Sequence, residues 1–325
     1  WESYATRLSG FAILAVLYWV GAELCLIDPN VADLSIGWAI AISFASLVVG
    51  WILYDRLCKS PLGDRPQVMM LVLFGIIVVF AWGYTQVFTG RAALLHLGAL
   101  TATLMTANVA HIIIPNQKIV VADLKAGRVP DAKYGKIAKL RSTHNNYLTL
   151  PVIFLMVSNH YPLAFASEFN WIIASLVFLM GVTIRHFFNT MHARGGRPWW
   201  TWGATAAIFV AIVALSLLPL RNGAVEEETA LTERQQAYVD HSAFEDVFWL
   251  VQGNCGYCHG AEVFYPGLAA APGGVLLDTE NAVARYASEI YLQAGISHAM
   301  PPAFVSGLLE EDRALIRQWY REASQ

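Results

Sequence analysis

Residues 68–88 read VMMLVLFGIIVVFAWGYTQVF, a run without one charged side chain. A helix of that length rises about 30 Å, the thickness of a bilayer's hydrocarbon core. Six further runs have the same character: 4–24, 37–57, 92–114, 147–167, 171–192 and 200–220. The composition of the 325-residue chain agrees, with 56% hydrophobic and only 14% charged residues and a mean hydropathy of +0.47. Soluble domains carry about 25% charged residues. Eleven Trp are present. Trp38, Trp171, Trp199 and Trp200 fall near run ends, where aromatic rings sit at the membrane–water interface. A wholly soluble enzyme, a disordered chain, a collagen-like repeat and a disulfide scaffold are excluded. The expected fold class is all-α: a polytopic transmembrane helix bundle of about seven spans over 1–220. No small-residue cleavage site follows the first run, so it is not read as a secretory signal.

The connections between runs orient the bundle. Arg56, Lys59 and Arg65 lie in 55–66, and Arg185, Arg194 and Arg197 in 185–198. Lys118, Lys125, Arg128, Lys133, Lys136, Lys139 and Arg141 lie in 115–146. The alternate connections 25–36 and 159–170 hold no Lys or Arg, and 88–92 holds only Arg91. Basic loops stay in the cytoplasm, so seven spans predict an inside N-terminus and an outside C-terminal domain. The net charge of −3 hides a division along the chain. Residues 1–220 hold 15 Lys and Arg against 9 Asp and Glu, whereas 221–325 hold 6 Arg, no Lys and 15 Asp and Glu. Segment 221–238 reads as an acidic linker, and 239–325 as a separate domain.

That domain contains Asn254-Cys255-Gly256-Tyr257-Cys258-His259. C-x-x-C-H is the attachment signature of c-type haem. Thiols one helical turn apart form thioethers to the two vinyl groups, and His259 becomes the proximal iron ligand. Met300, in His298-Ala299-Met300-Pro301-Pro302, is the expected sixth ligand, with His298 the rival. Axial thioether raises the haem potential, which suits an electron acceptor. No second Cys pair is present to complete a zinc site. The order helix, motif, loop, Met and terminal helix over 311–321 resembles a small class I cytochrome c. Covalent haem implies an oxidising, extracytoplasmic compartment, in agreement with the loop charges. Cys25 and Cys58 fall at opposite membrane faces, too far apart for a disulfide.

Polar side chains inside spans mark function by default. The densest set is Arg141-Ser142-Thr143-His144-Asn145-Asn146-Tyr147. Ser158-Asn159-His160-Tyr161-Pro162 ends the same span. His96 and His111 share one face of the fourth span, and Arg185, Asn189 and His192 form a stripe on the sixth, with His186 beside it. These groups anchor helix ends on the plainest reading, since Arg and His there extend to the interface. Ligation of b-type haem by His96 and His111, with His160 and His144 as partners, is a second reading.

Residues 141–162, RSTHNNYLTLPVIFLMVSNHYP, together with GAELCLIDPNVADLS at 21–35 and the order of a multi-span domain before a haem domain, resemble the membrane-bound, cytochrome c-linked urate oxidase family. In that family a further N-terminal portion with an extra span precedes the matching part. The resemblance implies oxidation of urate to 5-hydroxyisourate in purine breakdown, with water supplying the oxygen. It implies electrons passed through haem c to a soluble cytochrome c or terminal oxidase, in the bacterial inner membrane. Urate is a planar anion needing a cation, carbonyl partners and a base. Arg141 or Arg185, Asn145 with Asn146, and His144 fit those roles. No Gly-rich dinucleotide fingerprint appears, so neither flavin nor NAD is expected, and no nucleic-acid partner is expected. Urate near His144 would lie a membrane thickness from the haem, so binding around Asn159 and His160, or an intramembrane haem relay, stays open. The alternatives are an electron-transfer subunit fed by a quinol or partner dehydrogenase, and a transporter with a haem tether.

Overall fold

Ser35 and Thr89 each stand one residue before a membrane-length helix. Each side chain accepts a backbone N–H of the first turn, Trp38 at 3.5 Å and Ala92 at 3.1 Å, satisfying donors that helix starts otherwise leave orphaned. Pro66 starts another, where its missing N–H costs nothing. In the computed structural model, residues 2–28, 31–158, 167, 169–221, 230–266, 268, 271–302 and 307–324 are described. The chain divides into two compact units, Trp1–Ser216 and Leu217–Gln325.

The first unit is a helix bundle. Helix α1 (Glu2–Leu14) winds on through a π turn, Ala15–Val20. Helices α2 (Ile36–Lys59) and α3 (Pro66–Thr85) follow. Helix α4 (Gly90–Lys125) is one 36-residue rod containing a second π turn at Asn108–Ile113. Helices α5 (Ala132–Val157), α6 (Asn170–His192) and α7 (Trp200–Arg221) complete it. The rod α4 overshoots the expected 92–114, and Gly127, two residues past its end, has a φ of 68°, the left-handed conformation that glycine adopts freely.

Among the described residues five helices, not seven, are long and apolar enough to cross a membrane: α2, α3, α4, α6 and α7. The apolar part of α1, Ala5–Val20, falls short of the roughly 20 residues a span needs. Of the run expected at 147–167, the part 147–157 is helical within α5, which starts earlier, at Ala132, and 159–166 lie outside the described residues. The first half of α5 is too polar to register as a span. Packing supplies what hydropathy does not, because α5 lies against both α4 and α6, with Arg141 and His144 buried. Two close approaches make this possible. A Cβ on Gly181 of α6 would stand 2.6 Å from Pro151 Cδ of α5, and one on Gly98 of α4 would stand 3.1 Å from Leu155 Cβ.

The core is built from Leu73 and Ile77 of α3, Leu97 and Leu100 of α4, Leu148 and Leu155 of α5, and Phe178 of α6. Large apolar side chains such as Leu71, Val79 and Val210 point outward, as lipid-facing positions do. Helix α7 is tied to α6 by Thr183 and Thr205, whose hydroxyls lie 2.8 Å apart, and by Phe187 against Trp202.

The second unit comprises α8 (Glu233–Asp240), α9 (Phe244–His259), α10 (Glu280–Arg285), α11 (Ala287–Ile290, continuing as a π turn Tyr291–Ile296) and α12 (Glu310–Ala323). Thr232 and Gln235 form a reciprocal capping box at α8. Trp319 is fully buried, and its Nε1 donates to Tyr238 O at 3.0 Å. Tyr291, Tyr320 and Tyr238 stack in series, with centroids 4.3 and 5.4 Å apart. Burial and the nearby Tyr238 push the Tyr320 hydroxyl well above the usual phenol range.

Candidate functional site

Two buried polar layers interrupt the apolar core of the bundle, and each includes residues of a π turn. Such bulges recur at functional sites because they re-aim side chains within an otherwise regular helix. The layers are twelve residues apart on α4, from His96 to Asn108, or about 18 Å of rise.

The first layer is closed. Trp19 Nε1 donates to Ser43 Oγ at 2.9 Å, and Ser43 Oγ lies 2.7 Å from His96 Nε2. His96 Nδ1 lies 2.8 Å from Ala92 O. A carbonyl only accepts, so Nδ1 carries the proton and Nε2 accepts from the Ser43 hydroxyl. The rings of Tyr18, Tyr84 and Phe88 pack round the imidazole. Both nitrogens of His96 are therefore engaged and the ring is enclosed; a haem iron could take Nε2 only by displacing Ser43. His111 sits in the second π turn beside Trp51, and His160 lies outside the described residues.

The second layer borders open space. Asn108 donates from Nδ2 to Tyr54 Oη at 2.9 Å and to Asn145 Oδ1 at 2.8 Å. Tyr54 Oη lies 2.8 Å from His144 Nδ1. Because Oη already accepts from Asn108, the economical assignment has it give its own proton to Nδ1. The imidazole proton then sits on Nε2. That atom is buried without a hydrogen-bond partner among the described residues, in a side chain only 1% exposed. Leaving such a donor unmatched costs about 1–3 kcal/mol. His144 borders a cavity of about 1010 Å³, shared with Cys58, Met70, Asn116, Tyr147 and His186.

In the sequence His186 stands only beside the Arg185 stripe. Its Nδ1 lies 3.0 Å from Tyr147 Oη, and its ring stacks on Tyr147. Two histidines on adjacent helices thus border one cavity, each held at Nδ1 by a tyrosine.

The other expected residues divide. Arg141 borders the cavity but is 2% exposed and fully engaged: Nη2 meets Asp55 Oδ1 at 2.7 Å, Nη1 meets Asn108 Oδ1 at 3.2 Å, and the guanidinium lies over the Tyr54 ring. Asn145 is committed to Asn108 and to Met105 O. It braces the layer and does not border the cavity. Asn146 accepts from Arg185 Nε at 2.9 Å through Oδ1 and faces a separate cavity of about 460 Å³ with Asn189 and His192. Tyr54 and Asn108 were not singled out in the sequence. Asn108 had a signal, being an amide inside a span.

In the second unit, Cys255 and Cys258 occupy the last turn of α9, and His259 ends it. His259 Nδ1 lies 2.9 Å from Val275 O, so Nδ1 is the donor and Nε2 presents its lone pair, the tautomer an iron ligand needs. Burial and the neighbouring Cys258 push the Cys255 thiol up to about 11. Tyr257 and Phe264 stack with centroids 6.5 Å apart and both stay exposed, an apolar surface beside the motif. Met300 is exposed, with its N–H bonded to Gln293 O at 3.0 Å and its carbonyl accepting from Arg313. His298, at a left-handed φ of 55°, lies 3.9 Å from Glu310 and is half exposed. Among the described residues no group of three or more His, Cys, Asp or Glu could hold a bare metal ion.

Residues 1–216 match the family model described as urate oxidase, N-terminal. The chain belongs to this family. The match takes in the bundle up to the last turns of α7, with both polar layers and both cavities. Among its described residues the urate oxidase N-terminal domain here is all-helical, with five membrane-length apolar helices. No curated protein and no solved structure matches the chain.

Proposed function

We propose that the cavity bordered by His144 and His186 binds urate, and that the protein oxidises it to 5-hydroxyisourate with water as the oxygen source. The observation that carries this reading is His144 Nε2, a buried, unpartnered donor beside a cavity of ligand size, in a chain of the urate oxidase N-terminal family.

The reaction balances as urate monoanion plus water giving neutral 5-hydroxyisourate, one proton and two electrons. His144 donates through Nε2 to a carbonyl oxygen of the purine, fixing the ring and withdrawing electron density from it. Tyr54 and Asn108 hold the imidazole in that tautomer. His186, turned by Tyr147, takes the proton from the water that adds at C5. Arg141 keeps the layer rigid through Asp55 and Asn108. This differs from the sequence expectation, in which His144 was the base and Asn145 a substrate contact.

Cys255, Cys258, His259 and Met300 would hold haem c, which when bound supplies a one-electron acceptor of raised potential. Support comes from the motif spacing and from the His259 tautomer. The bundle belongs in the bacterial inner membrane with 239–325 on the extracytoplasmic side, where a basic soluble cytochrome c or terminal oxidase would meet an acidic partner. With urate at the basic-loop end and haem c on the extracytoplasmic side, electrons need a relay across the bilayer, and the intramembrane haem read at His96 and His111 is the one this reading calls on.

The test is anaerobic addition of urate to the purified full-length protein, following the haem α-band. Reduction without an added partner is expected. His144→Ala should abolish it while dithionite still reduces the haem. No reduction by urate in the intact protein refutes the proposal.

A further inference from the structure

The geometry points to one-sided loading: we propose that the His144 cavity draws its anion from the basic-loop face, guided by Lys136 and Lys139. This rests on the reading of that cavity as the urate site.

The cavity is bordered by Lys59, Ser60 and Asp64 at the α2–α3 connection, by Lys136 and Lys139 in the first turns of α5, and by His186 near the end of α6. Every one of these positions adjoins a Lys- and Arg-rich connection. None of the residues bordering it comes from 25–35 or 86–89, at the other end of the bundle. The cavity therefore opens at one end, and the excess of Lys and Arg makes that end cytoplasmic.

The charges at the opening are unevenly matched. Asp55 serves two cations, Lys59 at 2.6 Å and Arg141 at 2.7 Å. Lys136 and Lys139 are exposed and have no ion pair among the described residues. Asp55 does not border the cavity, and Asp64 is the one carboxylate that does among the described residues. An opening with surplus positive charge between low-dielectric walls concentrates anions. Positions 136, 140, 143 and 147 recur at i, i+4, i+7 and i+11 on α5, so one helix face leads inward from the lysines. His144 lies eight residues beyond Lys136, about 12 Å of rise. An anion held loosely at the lysines thus meets the buried donor at the far end.

Cys58 borders the same cavity and is half buried, whereas Cys25 lies at the other end of the bundle. The test uses the full-length protein in inside-out and right-side-out vesicles. A membrane-impermeant sulfonated maleimide should label Cys58 only where the basic-loop face is outward, and faster than an uncharged maleimide does. Lys136→Gln with Lys139→Gln should remove that advantage, and should raise the KM for urate several-fold at low ionic strength, with the difference closing at high salt. Labelling of Cys58 from the opposite face, no labelling from either face, or equal rates for charged and uncharged reagents would overturn the proposal. If charge-selective labelling holds but urate neither protects Cys58 nor reduces the haem, the urate reading fails and one-sided anion entry stands.

Discussion

Asp55→Ala removes the carboxylate shared by Arg141 and Lys59, and the two halves of that loss differ greatly. The Lys59 side chain is 60% exposed, so water replaces its partner and the pair contributes well under 1 kcal/mol. Arg141 is 2% exposed, so little solvent can replace the lost carboxylate. Its remaining partners are Asn108 Oδ1, the Asp55 backbone carbonyl at 3.4 Å and the Tyr54 ring, none of which carries a negative charge. Stranding one member of a buried pair costs about 3–5 kcal/mol, which for a unit of this size shifts the midpoint by on the order of 10 °C. The assay is thermal unfolding in detergent for Asp55→Ala, Arg141→Leu and the double variant. The double variant should recover much of the loss, since no charge is left buried. An Asp55→Ala midpoint within 1 °C of wild type, or single losses that simply add, would refute the argument that the carboxylate neutralises a buried cation.

Tyr54→Phe leaves one Asn108 N–H unmatched and His144 Nδ1 with only the weak Cys58 Sγ contact at 3.9 Å; urate-driven haem reduction should fall about tenfold or more while dithionite reduction is unchanged, and stopped-flow absorbance checks both. Gly181→Val pushes a side chain into Pro151, so α5 and α6 must separate; a destabilisation of about 1–3 kcal/mol is expected, seen as a lower unfolding midpoint, while Gly203→Val, with nothing near its Cβ, should be close to neutral. Met300→Ala should lower the haem potential and slow electron exit, whereas an unchanged spectrum would move the sixth ligand to His298. The Arg317 guanidinium holds the Glu310 carboxyl below its ordinary value. The small stabilisation from that exposed pair is present above the unfolded carboxyl pKa and lost as pH falls through the folded one, so Glu310→Gln should flatten the acid limb of unfolding followed by Trp fluorescence.

Where the chain's own chemistry is local, the sequence is enough. Helix α3 is readable because its apolar side chains run on without a charged residue, and the helical end that carries Cys255, Cys258 and His259 because those residues are neighbours. Helix α5 is not readable in the same way. Its inner half is polar in isolation, and what makes it a buried helix is Asp55, 86 residues away, together with Asn108, 33 residues away. Hydropathy averages along the chain and cannot register a partner across the bundle. His186 was passed over for the same reason, since Tyr147 lies 39 residues earlier. Asn145 and Asn146 looked equivalent as adjacent amides, yet they stand 100° apart on the helix, and one braces the layer while the other meets Arg185. The π turn that places Asn108 between Tyr54 and Arg141 has no sequence signature at all.

The polarity of α5 has a consequence for how the protein is made. An arginine costs up to about 3 kcal/mol on insertion from the translocon when no partner is present, most at the centre of the span. Helices α2 and α4 have left the ribosome by the time α5 follows, so the segment can enter the bilayer only against chains already there. Biogenesis of the site is therefore ordered: Asp55 and Asn108 must be resident before Arg141 arrives. A substitution at either acts first on the yield of inserted protein, and only then on the chemistry of the molecules that get through.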